Sequence, residues 1–236
     1  MDDLPPAPRR GRPAERPPRR LPLDRERILD AAMDLLDRRG LNAVTMRAVG
    51  EALDTGGASL YAHFANKDAL VEGLLDRVYE EVPLPERGDP ARWQEQVKDI
   101  VRAIRGTLVA HRDIARASLG TVPTSPQALR ITDKLIEVLR AGGLSDQTVA
   151  YGIDLLALYA TSVAYEESLY IKDGLTQEQF DAWRADMTHF MASLPVDRFP
   201  HVVAIAGPLT AGSYEGDERF VFGLDVILAG LAAQRS

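Results

Sequence analysis

The stretch Thr45–Lys67, TMRAVGEALDTGGASLYAHFANK, constrains the fold of this chain more than any other. Thr45 is a candidate N-cap, and Met46, Val49 and Leu53 follow at a spacing that gives a short amphipathic helix one buried face. Asp54-Thr55-Gly56-Gly57 then supplies residues that tolerate unusual backbone angles. Ala58-Ser59-Leu60-Tyr61 restarts a helix that stops near His63 and Phe64. Two short helices about a glycine-bearing turn form a helix-turn-helix, whose second helix can lie in the DNA major groove. Spacing alone fits an ordinary helical hairpin equally well.

With 236 residues, 45% of them apolar, the chain can bury a substantial core as one large or two modest domains. The absence of cysteine excludes disulfides, thiolate catalysis and cysteine metal sites, and agrees with a reducing compartment. No run reaches membrane-spanning length, and the arginine-rich start lacks the apolar centre of a secretion signal, so a soluble, cytoplasmic protein is expected. The net charge of −7 looks unsuited to DNA until it is divided. Residues 1–23 hold six arginines and three acids, 6 − 3 = +3, and the remainder holds 22 basic and 32 acidic groups, 22 − 32 = −10. Positive charge thus gathers beside the helix-turn-helix, and the acidic remainder favours one orientation on DNA.

Residues 1–23 are rich in Pro, Arg and Ala and are expected to form a disordered basic arm. Within it, Arg10-Gly11-Arg12-Pro13 looks like the core of AT-hook peptides, which place Arg10 and Arg12 in a narrow minor groove; a solvated tail is the alternative. From Asp24 to Arg39, Ile28, Ala31, Ala32, Leu35 and Leu36 recur at helical spacing, and Gly40 ends the helix. Asn66 caps a further helix over Lys67 to about Glu81, with Leu70, Leu74, Leu75 and Val78 inward and Pro83 and Pro85 beyond its end. The remainder reads as helix over 91–111, 113–119, 126–141, 146–172, 177–193 and 217–233, with a weaker short helix near Val202–Ile205. The fold class is therefore all-α.

Two segments, GIDLLALYATSVAYEESLY and RFVFGLDVILAGLAAQ, are apolar around their whole circumference and must be covered all round. One solution is central packing in a monomer. The other, preferred here, is a two-fold interface in which both helices of each subunit form a four-helix bundle, with Gly223, Ala229 and Gly230 allowing close approach.

Asp24–Tyr79 resembles the N-terminal DNA-binding domain of TetR-family transcriptional regulators, through DRERILDAAMDLLDRRG, the Val-Thr-Met-Arg entry to the second helix and SLYAHFANKDAL. The resemblance implies a disordered arm (1–23), a three-helix helix-turn-helix domain (24–82) and a larger helical ligand-binding and dimerisation domain (83–236). Asp54 stands where the family usually has a turn glycine, so a tighter or more strained turn is expected, with Gly56 and Gly57 compensating. The resemblance also assigns Thr45, Tyr61 and Lys67 to phosphate anchoring, and Arg47, Ala58, Ser59 and His63 to the groove-facing surface.

HRDIARASLGTVP and RFVFGLDVILAGL resemble runs of the tetracycline-repressor branch. Where that branch has a metal-binding His, this chain has Ser118, and where it grips the drug with an Asn, this chain has Ile100. A magnesium–tetracycline chelate is therefore not carried over. Ile104, Thr121 and Glu166 match pocket or rim positions. With Ile100, Ser118, Thr107 and Lys134, and with Val138, Tyr165 and Trp183, they form the candidate ligand site; plain core is the alternative for each.

The function implied is that of a homodimeric repressor that binds a palindromic operator and is released by a small, partly apolar effector. A DNA-binding regulator with no small-molecule effector, constitutive or controlled by a protein partner, is the alternative. His63, His111, His189 and His201 show no metal-ligand spacing, and there is no phosphate loop or nucleophile elbow, so no catalysis, cofactor or metal is expected.

Overall fold

The computed structural model describes residues 22–119, 122–172, 176–211 and 217–235, and among them the chain is helical without a strand. The arm bearing Arg10 and Arg12 lies outside the described residues, as does Thr121. Helix α1 (Arg25–Arg39) begins where the Asp24 carboxylate accepts from the Arg27 N–H, and it ends at Gly40 with φ 80°, a backbone open to glycine. A 3-10 turn (Leu41–Ala43) leads to α2 (Met46–Ala52), where the Thr45 hydroxyl oxygen accepts from the Ala48 N–H at 3.1 Å. Helix α3 (Gly57–Leu60) follows, and α4 (Lys67–Glu80) opens under Asn66, which accepts from the Ala69 N–H.

Ile28, Leu36, Val49, Leu60, Phe64, Leu70 and Leu74 meet in one core. A fully buried Leu or Phe contributes about 1.5–3 kcal/mol, so this burial, rather than the propensity of a four-residue helix, holds α3 in place. The turn differs from the sequence expectation in how it is made. Asp54 itself adopts φ 51°, whereas Gly56 has φ −74° and Gly57 is helical, so the two glycines do not relieve the turn through positive φ. The tight steric constraint falls on Gly50 instead. A Cβ on Gly50 would sit 2.9 Å from the Gly57 nitrogen and 3.1 Å from the Gly56 carbonyl carbon, so α2 and α3 approach backbone to backbone.

The second half runs α5 (Trp93–Ala110), α6 (Ala115–Ser118), α7 (Pro126–Ala141), α8 (Asp146–Lys172), α9 (Gln177–Ala192), α10 (Pro200–Ala204), α11 (Ala206–Thr210) and α12 (Glu218–Ala232). The weak apolar run near Val202 belongs to α10, and the chain bends at Ile205 into α11. Helix α5 packs on α7 and α8, α4 lies against α7, and α6 against α8. Helix α9 packs mainly against α10 and α11 and leaves Trp183 and Phe190 exposed.

The two apolar helices are each half covered. On α8, Leu156, Ala160 and Ala164 are buried, while Tyr151, Leu155 and Leu158 form an exposed stripe. On α12, Phe220, Leu224 and Leu228 are buried, and Phe222 and Val226 are exposed. Gly223 serves a different contact from the one expected of it. A Cβ there would collide with the Tyr159 hydroxyl of the same chain, which donates to the Arg219 and Phe220 carbonyls while its ring stacks on Phe220 at 5.1 Å.

The turn after α5 fastens the two halves together. The buried Asp113 carboxylate accepts from the Leu41 N–H at 2.6 Å, Arg112 donates to the Arg38 carbonyl, and Arg116 donates to the Asn42 side chain. The His111 ring lies 3.1 Å from both Asp37 and Glu81. Asp113→Ala leaves the buried Leu41 N–H without its acceptor and should cost about 1–3 kcal/mol, read as a lower denaturation midpoint. Gly50→Ala drives a Cβ into backbone that cannot yield, and a loss of about 1–3 kcal/mol is expected in the same assay.

Candidate functional site

The buried residues of the helix-turn-helix decide what its surface presents. Leu60 and Phe64 turn inward, so Ala58, Ser59 and Tyr61 turn outward. A Cβ on Gly57 would lie 3.4 Å from the Arg47 Cα, which places the start of α3 beside the start of α2. Arg47 is exposed, and its Nε donates to Glu51 Oε1 at 2.7 Å. That hydrogen bond, and then the Glu51 charge, raises the guanidinium pKa above its ordinary value. Thr45 is half-buried as the α2 cap; its oxygen accepts from Ala48 while its proton remains able to meet a phosphate, so capping and anchoring are compatible. Lys67 is exposed on the first turn of α4. His63 is half-buried at the end of the recognition segment.

Three side chains to which the sequence reading assigned no part in this surface complete it. Glu51 holds Arg47, and Thr55 Oγ1 donates to Ser59 Oγ at 3.1 Å. Arg25 donates from Nη1 to the His63 carbonyl at 2.6 Å, with its guanidinium 4.1 Å from the Phe64 ring centroid. The i,i+4 spacing of Arg47 and Glu51 was a legible signal, whereas the Arg25–His63 contact spans 38 positions and left no local trace.

Behind the surface lies a hollow of about 420 Å³, walled by α4, the end of α6, the segment 122–126 and α8. Tyr79, Ser118 and Thr161 give it hydroxyls, Leu75 and Ala157 apolar floor, and Arg25 stands on its wall. Burial raises the Tyr79 pKa, offset in part by its hydrogen bond with Ser118. A second hollow of about 290 Å³ lies between α7 and α8, bounded by Ile136 and Val149.

Of the candidate ligand residues, Ser118 lines the larger hollow. Ile100, Ile104 and Val138 lie in the buried core, and Thr107 and Tyr165 are half-buried. Lys134 donates to Glu137 and to the Glu86 carbonyl, Glu166 pairs with Arg219, and Trp183 is exposed against Phe180. Among the described residues, no group of three or more His, Asp or Glu is placed to hold a metal ion, and no helix is long and apolar enough to cross a membrane.

Comparison with known proteins matches this arrangement in both halves. Residues 28–74 match the family described as bacterial regulatory proteins, tetR family, and residues 82–235 match the tetracyclin repressor-like C-terminal domain. The apo structure of ActR from Streptomyces coelicolor superposes with a TM-score of 0.80 at 39% identity, covering 92% of this chain and 100% of that one. ActR in complex with actinorhodin gives 0.82 at 40% identity, covering 91% and 98%. The HTH-type transcriptional repressor DrrR1 of Streptomyces coeruleorubidus is 27% identical over 93% of this chain and 80% of its own length. The class D tetracycline repressor protein of Escherichia coli is 25% identical, over 90% of each. With both halves matched in order, the chain belongs to the TetR family of bacterial transcriptional regulators.

Proposed function

We propose that the chain works as a homodimeric repressor that binds a palindromic operator through α2 and α3 and is released by a small, partly apolar effector. The observation that carries the reading is the outward set of Arg47, Ala58, Ser59 and Tyr61 over the buried Leu60 and Phe64, flanked by Thr45 and Lys67 at helix starts suited to phosphates. Arg47 serves as the base reader, His63 borders the groove, and the arm with Arg10 and Arg12 adds minor-groove contacts.

Dimerisation is supported by the exposed stripes of α8 and α12. Tyr151, Leu155 and Leu158 recur at helical spacing, as do Phe222, Val226 and Ala229, and a Cβ on Gly230 would meet nothing in its own chain. Such stripes, left to water, are the surfaces that a four-helix bundle covers. Two copies would place two reading heads on half-sites about 34–36 Å apart, or a multiple of that distance.

The effector reading is supported by the hollow behind α4 and by ActR, whose structure was determined in complex with actinorhodin. The proposed ligand-binding set is Ile100, Ile104, Thr107, Ser118 and Thr121, with Lys134, Val138, Tyr165, Glu166 and Trp183 from the later helices; of the described members, Ser118 is the one that lines this hollow. Effector and operator are linked through conformation: the factor by which the effector weakens DNA binding equals the factor by which DNA weakens effector binding.

Gel shifts on the DNA flanking its own gene should show a specific complex that a small molecule, with actinorhodin as the first probe, dissolves. A complex indifferent to every small molecule tested favours the regulator without an effector, and no specific complex on any selected site overturns the repressor reading. Arg47→Ala should weaken the complex by about 1–3 kcal/mol and relax its sequence preference. In sedimentation, the native chain should run as a dimer and the double variant Leu155→Glu, Phe222→Glu as a folded monomer; an unchanged dimer would remove α8 and α12 from the interface.

A further inference from the structure

Arg47 and Ser59, two of the polar side chains that α2 and α3 turn outward, each hold one partner within the chain. Glu51 Oε1 accepts from Arg47 Nε at 2.7 Å, and Ser59 Oγ accepts from Thr55 Oγ1 at 3.1 Å. These two bonds fix what each group has left. A guanidinium tied through Nε keeps its two terminal nitrogens as a fork of donors. A serine oxygen that already accepts a proton from threonine keeps its own proton to give.

Arg47 therefore meets a base edge only as a donor, and Ser59 retains a proton with which to donate beside its remaining lone pair. In the major groove, the matching acceptors are guanine O6 and N7, adenine N7 and thymine O4, whereas the amino groups of cytosine and adenine are donors. We infer that Glu51 and Thr55 are specificity-determining positioning residues: Glu51 aims Arg47 at a guanine, and Thr55 sets Ser59 as a donor toward an acceptor edge in the same half-site. The inference rests on the proposal that α2 and α3 read DNA.

Two features separate this role from that of a solvated ion pair. An exposed i,i+4 pair adds little to stability, so Glu51 is dispensable to the fold. A carboxylate at this edge also repels phosphates and so lowers affinity for every DNA sequence. What Glu51 supplies is orientation, and its removal should move affinity and specificity in opposite directions.

The test uses the full chain and the sites it selects from random DNA. The native protein should select half-sites that share a guanine, and changing that G·C pair to A·T should weaken binding about tenfold or more. Glu51→Ala should bind non-specific DNA more tightly while its guanine-over-adenine ratio falls by about threefold or more, and Glu51→Gln, which keeps an acceptor oxygen, should restore most of the ratio. Thr55→Val should lower discrimination at one different base pair. Unchanged melting temperatures would confirm that all three variants are folded. A full ratio in Glu51→Ala together with full discrimination in Thr55→Val overturns the inference and leaves Arg47 as a reader. An Arg47→Ala variant with every base preference intact overturns base reading by Arg47 itself, so the two failures are distinct.

Discussion

The Asp113 carboxylate is where the two halves of the molecule are fastened, and the position of the reading surface follows from it. The group is buried and accepts from the Leu41 N–H at 2.6 Å, immediately after α1 ends. Space there is so limited that a Cβ on Gly40 would lie 3.1 Å from the carboxylate oxygen, and Gly40 itself holds φ 80°. A buried donor that loses its acceptor bears a full desolvation cost, so the end of α1 goes where the turn after α5 puts it. Arg112, at φ 48°, and Arg116 tie the same turn to Arg38 and Asn42.

Helix α1 is held at its other end too. Arg25 reaches the His63 carbonyl and lies over the Phe64 ring, so the start of α1 is joined to the end of the recognition segment. The same residue stands on the wall of the larger hollow, with Glu72, Asp76 and Tyr79 of α4. A molecule that filled this space would press on α4 and on the Arg25 clamp together. Arg25 thus touches both the wall of the hollow and the segment that ends at Phe64.

Much of the fold was legible because it is written locally. Thr45 and Asn66 cap the helices that their positions announced, and the apolar spacing named the buried Ile28, Ala32, Leu36, Met46, Val49, Leu70, Leu74, Leu75 and Val78, whereas Ala31, Leu35 and Leu53 are only partly buried and the buried Leu29 was not named. The helix over Pro126–Ala141 and the long one over Asp146–Lys172 stand where periodicity set them. What sequence could not supply was pairing across distance. Asp113 with Leu41 is a contact over 72 positions, and nothing near either residue advertises the other. Gly223 was legible as a site of close approach but not as the seat of Tyr159, because a small residue marks proximity without naming the neighbour. Asp54 shows a similar limit: the unusual turn was foreseen, but the residue that carries the positive φ is the aspartate rather than the glycines after it.

The candidate DNA surface was legible as a set of residues and illegible as a set of orientations. Arg47 and Ser59 are named by their positions, yet each is bonded to a neighbour, Glu51 and Thr55, to which the resemblance assigns no contact with DNA. The acids also change the sense of the overall charge. Past residue 23 the chain has a balance of −10, which weakens attraction to any stretch of phosphates. For a regulator surrounded by competing sequences, the ratio of specific to non-specific binding matters more than either affinity alone. In the proposed reading mode, an acidic body that lowers the non-specific affinity and a surface whose few donors are held in place would raise that ratio from both sides.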